Sequence, residues 1–194
     1  MAKILFIKAN DARKRVQLGV EDAERGTLVL TLKESTYASI GCPERGDEID
    51  EGDLADLLLE DEVFRCSSKA LALIAGLDRS RYELKMKLRQ AGFSADATEI
   101  ALDKCEKYGY LDEMRQLERL VEREANRKLR GRYYIRRMLV SKGYRSSEID
   151  RVTSMLVNRG EIDFEANFDM LAKKRGVTDE EKLRALRYRY GYEN

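Results

Sequence analysis

Histidine is absent from this 194-residue sequence, and that absence excludes several kinds of site. Without it, a Ser-His-Asp triad, a Cys-His pair or a histidine-bearing metal site cannot form. No run of 18 apolar residues occurs, so the sequence predicts no transmembrane helix. The apolar run Ile4–Ile7 has neither the length nor the cleavage pattern of a signal peptide. We therefore expect a cytoplasmic protein.

Cysteine is scarce, and Cys42, Cys66 and Cys105 lie far apart with no Cys-x-x-Cys pair. Such spacing is typical of reduced thiols in a reducing compartment. A zinc site needs a fourth ligand, which histidine does not supply here. Glycine loops of the G-x-x-x-x-G-K-[ST] and G-x-G-x-x-G types are also absent. The sequence therefore predicts no metal and no nucleotide cofactor.

Charge is distributed unevenly, although the formal net charge is only +1. Residues 1–65 contain 9 basic and 15 acidic residues, a formal charge of −6. Residues 66–194 contain 28 basic and 21 acidic residues, a formal charge of +7. The extreme stretch is 115–145, with 11 basic and three acidic residues. This asymmetry indicates an anionic partner for the second part of the chain.

The first 35 residues have the pattern of half-buried strands. A short apolar run covers Lys3–Lys8, and apolar residues alternate with polar ones over Arg15–Val20 and Thr27–Leu32. Three such segments between turn residues predict a small antiparallel meander. The only proline, Pro43, lies in a turn. Beyond it, Asp53–Leu59 predicts a short acidic helix with its first residue as the N-cap.

After about residue 64 the sequence has helical spacing, and it repeats. A shift of 51 residues superimposes this part on itself without a gap. The matched pairs include Tyr82 with Tyr133, Gly92 with Gly143, Gly109 with Gly160, and Asp112 with Asp163. A repeat of this length predicts stacked three-helix units, with first helices at Ser68–Ala75 and Met114–Leu129. The paired aspartates are predicted to cap the next helix and not to form a catalytic pair.

Together these patterns predict a mainly α-helical fold. Tandem three-helix repeats would form an elongated stack, preceded by a small N-terminal antiparallel β-meander. The predicted regions are 1–65 for the acidic β-rich extension with its short helix, 66–113 for the first repeat, 114–165 for the second and 166–194 for a partial third. Because the sequence ends at Asn194, we expect two complete repeats and a third that lacks its last helix.

Four motifs of the helical part are jointly specific. Residues 70–93 contain an Ala-Leu-rich helix, then Arg-Ser, Glu-Leu and Leu-x-x-x-Gly-Phe. The segments YGYLDE (108–113), RGRYYIRRMLVSKGY (130–144) and LAKKRG (171–176) follow. These motifs resemble the first-repeat entry, the repeat junction, the second-repeat core and the third-repeat start of the RecX family of recombinase regulators. The resemblance covers residues 67–192, and residues 1–65 resemble the strand-rich extension of some longer members.

The resemblance implies a small helical modulator with no catalytic activity of its own. Proteins of this family bind the RecA recombinase filament on single-stranded DNA, lie along its groove, and suppress ATP hydrolysis and strand exchange. The implied role is therefore in recombination and DNA repair. The implied partners are a RecA-type filament and single-stranded DNA, with duplex DNA as a further partner and no membrane.

The candidate contact residues are basic side chains of the second repeat. Arg115, Arg119, Arg123 and Arg127 recur every four residues, which places them in one slowly drifting row along a helix. Guanidinium groups suit phosphate oxygens or the carboxylates of an acidic protein groove. The competing interpretation is a solvated face with interleaved glutamates as partners. The full predicted set is Arg115, Arg119, Arg123, Arg127, Lys128, Arg130, Arg132, Arg136 and Arg137.

The tyrosines of the basic region allow two interpretations. Tyr82 and Tyr133 could stack on a base, but we favour packing at a helix–helix seam because the repeat retains both. Residues 187–192 form a basic, tyrosine-rich tail. That tail either contacts DNA or a protein partner, or is the exposed end of a partial repeat.

Two other functions are alternatives. Three-helix units also resemble helix-turn-helix domains, so the chain could be an independent DNA-binding module that binds duplex DNA without a recombinase. A nuclease would need carboxylates clustered around a divalent metal. The acids of this sequence are not clustered in that way, so we do not expect an enzyme.

Overall fold

The computed structural model describes residues 1–77 and 79–193. Within these residues the chain forms nine α-helices and a four-stranded sheet, and 62% of the chain is helical. The strands are β1 (Ala2–Asn10), β2 (Arg15–Asp22), β3 (Gly26–Lys33) and β4 (Glu48–Ile49). The helices are α1 (Glu34–Ser39), α2 (Glu51–Gly76), α3 (Arg81–Gln90), α4 (Ala95–Lys107), α5 (Glu113–Glu122), α6 (Arg132–Ser141), α7 (Ser146–Asn158), α8 (Phe164–Arg175) and α9 (Glu180–Tyr190). The predicted fold class is confirmed.

The sheet has the order β3-β2-β1-β4, and each neighbouring pair is antiparallel. The predicted three-stranded meander is present, but a fourth strand extends it. The strand β4 has only two residues, Glu48 and Ile49, which pair with Lys3 and Ala2. Two residues are too few to produce a visible alternation, so the sequence pattern does not reveal this strand.

One face of the sheet packs on α2. Leu18, Val20, Leu30 and Leu32 share a buried cluster with Leu54 of this helix. The α2 helix also closes the edge strand β3. Its residues Asp61 and Glu60 accept hydrogen bonds from the backbone N–H groups of Thr31 (2.9 Å) and Lys33 (2.8 Å), respectively. Edge N–H groups that are already bonded are not available for strand addition.

The prediction of a short helix at Asp53–Leu59 is wrong, because these residues belong to α2, which continues without interruption for 26 residues. The first helix of repeat 1, predicted to begin at Ser68, is the second half of the same helix. No glycine or proline lies between Asp53 and Ala75, so nothing ends the helix there. The N-cap differs as well, since the side chain of Asp50 accepts the N–H of Asp53 at 2.9 Å.

The 51-residue repeat is present in the helices themselves. The bounds of α6 and α7 are those of α3 and α4 displaced by 51 residues. The glycines after α3 and α6, Gly92 and Gly143, have φ angles of 91° and 89°. Only glycine adopts this left-handed conformation without strain, and the N–H groups there close each helix end.

Both predicted aspartate caps are formed. The Asp112 carboxylate accepts the N–H of Arg115 at 3.0 Å at the start of α5. The Asp163 carboxylate accepts the N–H groups of Glu165 at 3.0 Å and Ala166 at 3.1 Å at the start of α8. Side-chain oxygens satisfy N–H groups that have no partner inside a helix. These aspartates are therefore structural.

The helix predicted at Met114–Leu129 is divided. The α5 helix ends at Glu122, and residues Arg123–Arg127 form a π-helical turn in which the N–H of Lys128 donates to the carbonyl of Arg123 at 3.2 Å. The next residue, Leu129, has a φ angle of 51° and ends the turn. Its side chain is buried beside Phe168, so apolar packing holds a backbone that the sequence pattern does not indicate.

Backbone contacts divide the chain into two compact units. Unit 1 contains the sheet, most of α2, the end of α3 and all of α4 (residues 1–75 and 87–110). Unit 2 contains residues 76–86 and the chain from residue 111 onward. Its core, which α5, α6 and α7 form, includes Leu117, Ile135 and Ile149. None of the described helices is long and apolar enough to span a membrane.

Candidate partner-binding site

A cleft in unit 2 forms where the C-terminal segment meets the start of α6. The backbone N–H of Gly131 donates to the carbonyl of Tyr190 at 2.9 Å, and that of Tyr133 donates to the carbonyl of Gly191 at 2.9 Å. These bonds satisfy N–H groups at the start of α6. A side chain at Gly131 would collide with the backbone of Gly191, so glycine permits this close approach.

The cleft has a volume of about 530 Å³. Both helices that form it present arginine and tyrosine side chains. The lining includes Arg132, Tyr133, Arg136, Arg137, Tyr188 and Arg189. A cavity of this size lies in the range typical of ligand sites.

The cleft has an excess of positive charge. Arg136 forms an ion pair with Asp150 at 3.2 Å, so one acid of the lining is neutralised. The other acid, Glu193, lies 3.7 Å from the guanidinium of Arg187. Arg137 and Arg189 have no carboxylate partner among residues 1–77 and 79–193. These two guanidinium groups are therefore available to an anion from outside the chain.

Exposed tyrosine rings accompany the arginines. Tyr133 is 48% exposed and Tyr188 is 72% exposed. Tyr82, the counterpart of Tyr133 in repeat 1, is 51% exposed, although its Cβ lies against Gly143. The predicted seam contact is present for Tyr82, whose Cβ, Cγ and Cδ1 atoms lie against Gly143. Both rings keep about half of their surface open to solvent.

The arginine row lies along α5 and the π-helical turn. In an α-helix a step of four residues advances by about 400°, so such a row drifts by about 40° per step. A π-helical turn holds more than four residues, so the step from Arg123 to Arg127 falls short of a full turn and drifts in the opposite direction. Arg119, Arg123 and Arg127 line one shallow cavity of about 250 Å³. Arg115 is exposed at the start of α5 and lines neither this cavity nor the cleft.

A buried carboxylate supports the end of the row. Glu124 lies 2.8 Å from the ammonium of Lys128 and 3.4 Å from the guanidinium of Arg123. Its side chain is only 5% exposed, whereas both cations are largely open to solvent. Two predicted contact residues therefore have an internal partner. Their remaining donors face solvent.

Arg130 has a structural role inside unit 2. Its guanidinium lies 4.3 Å from the ring centroid of Tyr134 and 4.7 Å from that of Tyr190. A cation between two aromatic faces is held by the ring quadrupoles. Because Tyr190 belongs to the C-terminal segment, this stacking holds the segment against α6. Arg130 is therefore the member of the predicted set that is least available to a partner.

The structure places six of the nine predicted contact residues on two surfaces. One is the row surface, defined by Arg119, Arg123 and Arg127, and the other is the cleft. The cleft also contains Tyr188 and Arg189, which the predicted set omits. The signal for them is the alternation Arg-Tyr-Arg-Tyr over residues 187–190. That alternation does not indicate which surface the tail joins.

Comparison with known proteins finds similarity to one family. Residues 66–105 match the family model described as the first three-helix domain of RecX. A protein named Regulatory protein RecX from Clostridium acetobutylicum is 28% identical over 130 residues, which are 67% of this chain and 60% of that protein. A protein of the same name from Clostridioides difficile is 28% identical over 175 residues, which are 90% of this chain and 77% of that protein.

Solved structures agree on the fold. A crystal structure of regulatory protein RecX matches with a TM-score of 0.73 and 21% identity, over all of this chain and 95% of the other. RecX from Lactobacillus salivarius matches with a TM-score of 0.53 and 17% identity, over 64% of this chain and 82% of the other. The fold thus defines a class of protein, in which three-helix units recur beside a small sheet. The chain is therefore similar to RecX proteins in its first three-helix domain and in its fold, in agreement with the resemblance of its motifs.

Proposed function

We propose that the protein is a non-enzymatic regulator that binds a RecA-type recombinase filament on single-stranded DNA. Its binding surface would include the cleft of unit 2. The observation that carries this proposal is the presence of unpaired guanidinium groups and exposed tyrosine rings around one cavity. Similarity to proteins that are named regulatory proteins supports the same role.

The chemistry of the cleft suits a single nucleic-acid strand. Arg137 and Arg189 can donate to phosphate oxygens, and guanidinium forks match them in geometry. Tyr133 and Tyr188 can stack on unpaired bases, which is worth about 1–3 kcal/mol per base. Stacking tolerates any base, so such a site would follow a strand without reading its sequence.

Regulation would follow from a preference between filament states. A ligand shifts an equilibrium only by its difference in affinity for the two states. If the cleft binds the strand as the inactive filament presents it, ATP hydrolysis falls without any catalytic group on this chain. Strand exchange, which needs the active filament, would fall with it.

The test measures ATP hydrolysis by RecA on single-stranded DNA during titration with this protein. The cleft variant is Arg137→Glu/Arg189→Glu. The control is Lys173→Glu/Lys174→Glu, which changes the charge of the same unit equally at exposed positions on α8. We expect the wild type and the control to inhibit, and the cleft variant to need at least about tenfold more protein. Equal inhibition by all three proteins would contradict a role for the cleft.

A second variant, Arg123→Glu/Arg127→Glu, tests the row surface in the same assay. Weaker inhibition would add this surface to the contact area with the filament. Duplex binding without RecA tests the alternative of an independent DNA-binding module. Tight duplex binding, together with no effect on ATP hydrolysis, would favour that alternative over regulation of the filament.

A further inference from the structure

Unit 1 contains a separate groove that the proposed function does not use. The groove lies between the sheet, α2 and α4, and has a volume of about 360 Å³. Its lining combines basic and apolar side chains. The basic and apolar residues of this lining include Arg15, Lys33, Phe64, Leu71, Lys104 and Tyr108.

Three cations converge on this groove. Arg15 and Lys33 are direct partners in the register of β2 and β3. Residues paired in this way project from the same face, and like charges directly opposite each other destabilise a sheet. Lys104 of α4 lies close enough to both for their charges to act on it. Burial first, then the charges of Lys33 and Arg15, lower the pKa of the Lys104 ammonium.

The acid beside these cations is already bonded. Glu60 is the one carboxylate that lines the groove within the described residues 1–77 and 79–193. Its Oε1 accepts the backbone N–H of Lys33 at 2.8 Å, and its Oε2 accepts the hydroxyl of Thr36. One engaged carboxylate against three cations leaves the groove with a positive excess.

The rest of the groove is apolar. The Arg15 guanidinium lies over the ring of Phe64, and its Cζ atom is 4.3 Å from the ring centroid. Leu71 is 37% exposed and Tyr108 is 68% exposed. Cys105 also lines the groove, and burial raises the pKa of its thiol, so it remains neutral there. An aromatic or aliphatic side chain of a ligand would find contact area beside the cations.

We propose that this groove binds an acidic peptide segment of a protein partner, through its carboxylates and one aromatic or aliphatic side chain. The charge of unit 1 favours a peptide over a nucleic acid. The unit has 14 basic and 19 acidic residues, a formal charge of −5, which repels a long polyanion outside the groove. Strand addition at β3 is not the mode, because Asp61 and Glu60 already bond that edge.

The experiment measures fluorescence anisotropy of a labelled peptide, Asp-Asp-Phe-Asp-Asp, with the full chain at low salt. Lys104→Glu tests the groove. Lys107→Glu is the matched control, because it makes the same charge change one turn away on α4 and does not line the groove. We expect Lys104→Glu to weaken binding by at least about tenfold and Lys107→Glu to change it by less than about twofold. A peptide with glycine in place of phenylalanine should also bind more weakly.

Other outcomes would overturn the proposal. Absence of peptide binding at millimolar protein would do so, as would equal binding of the glycine peptide. Loss of binding in Arg137→Glu/Arg189→Glu but not in Lys104→Glu would place the peptide in the cleft of unit 2. Binding of an oligothymidine that is sensitive to Lys104→Glu, without peptide binding, would make the groove a nucleic-acid site. Peptide binding therefore tests the groove of unit 1, whereas the ATP hydrolysis assay tests the proposed regulatory function, so either proposal can fail without the other.

Discussion

Gly131 is the residue on which the cleft depends most directly. Its φ angle of −78° suits any residue, so only the nearby backbone of Gly191 demands glycine. A methyl group there would meet backbone atoms, which cannot move as a side chain can. We expect Gly131→Ala to lower the free energy of unfolding by about 1–3 kcal/mol, as overpacking does, in urea titrations. Limited proteolysis should then remove the C-terminal segment faster.

Gly76→Ala is the control for this effect. Nothing lies within 4 Å of a Cβ atom at Gly76, which ends α2. We expect this variant to be as stable as the wild type or slightly more stable, by up to about 1 kcal/mol. An unchanged urea midpoint for Gly131→Ala would mean that the segment is not held against α6.

When Gly191 of the partial repeat is aligned with Gly143, Arg187 takes the position of the apolar Leu139. Its guanidinium bonds the Glu165 carboxylate at 2.7 Å and lies 4.1 Å from the ring centroid of Phe168. These contacts explain why an arginine replaces the apolar residue of the repeat at this position. The long side chain packs on a ring and pairs with α8 in place of entering the core.

The same ion pair predicts a dependence of stability on pH. The hydrogen bond from Arg187 lowers the pKa of Glu165 from its ordinary value of 4.5. The pair therefore stabilises the fold fully above that ordinary value, and the stabilisation is lost as the pH falls through the lowered pKa. Between pH 5 and pH 3, Glu165→Gln should lose less stability than the wild type. Because Glu165 is mostly exposed, we expect a difference below about 1 kcal/mol in urea unfolding.

The control for this pH effect is a second exposed carboxylate. Glu161→Gln removes an exposed acid whose nearest guanidinium contact is at 3.8 Å. Its pH dependence should follow that of the wild type. If Glu165→Gln also follows the wild type, the ion pair contributes nothing measurable to stability.

At the scale of elements, the sequence predicts what local rules determine. The second and third helices of both repeats end at glycines with positive φ, such as Gly92 and Gly143, and the aspartate caps lie one residue before a helix. These are short-range signals, and all of them are confirmed. The π-helical turn after α5 is missed because its cause is long-range. The buried packing of Leu129 with Phe168 holds it, and neither residue is unusual locally.

The cleft of unit 2 is likewise predictable from the sequence only in its local part. Arg132, Arg136 and Arg137 are predictable as a basic cluster on one helix. Their joining with Arg189 depends on the backbone hydrogen bond from Gly131 to Tyr190, two residues that are distant in the sequence. No local pattern encodes that pairing.

The continuity of α2 can be tested with proline. If a helix began at Ser68, proline at its first position would be tolerated. In a continuous helix, proline removes a hydrogen bond and collides with the preceding turn, which costs about 3 kcal/mol or more. We expect Ser68→Pro to lose at least that much stability in urea unfolding, with reduced helical circular dichroism. Ser68→Ala, at the same exposed position, should stay within about 0.5 kcal/mol of the wild type.

At the scale of the molecule, the two units differ in charge. Unit 1 has a formal charge of −5, and unit 2, with 23 basic and 17 acidic residues, has +6. The near-neutral total therefore conceals two units of opposite formal charge. Nucleic acid should be attracted to unit 2, and an acidic peptide should need the local excess of cations in the groove of unit 1.

The salt dependence of binding to single-stranded DNA tests this division. Each phosphate that a single strand loses to a protein cation adds about 0.7 to the slope of log affinity against log salt. If Arg137 and Arg189 each neutralise one phosphate, Arg137→Gln/Arg189→Gln should reduce that slope by about 1.4. Lys33→Gln/Lys104→Gln removes two cations from the groove of unit 1, and should leave the slope unchanged. A smaller slope for the unit 1 variant would mean that the strand contacts both units, and the assignment of separate partners would then fail.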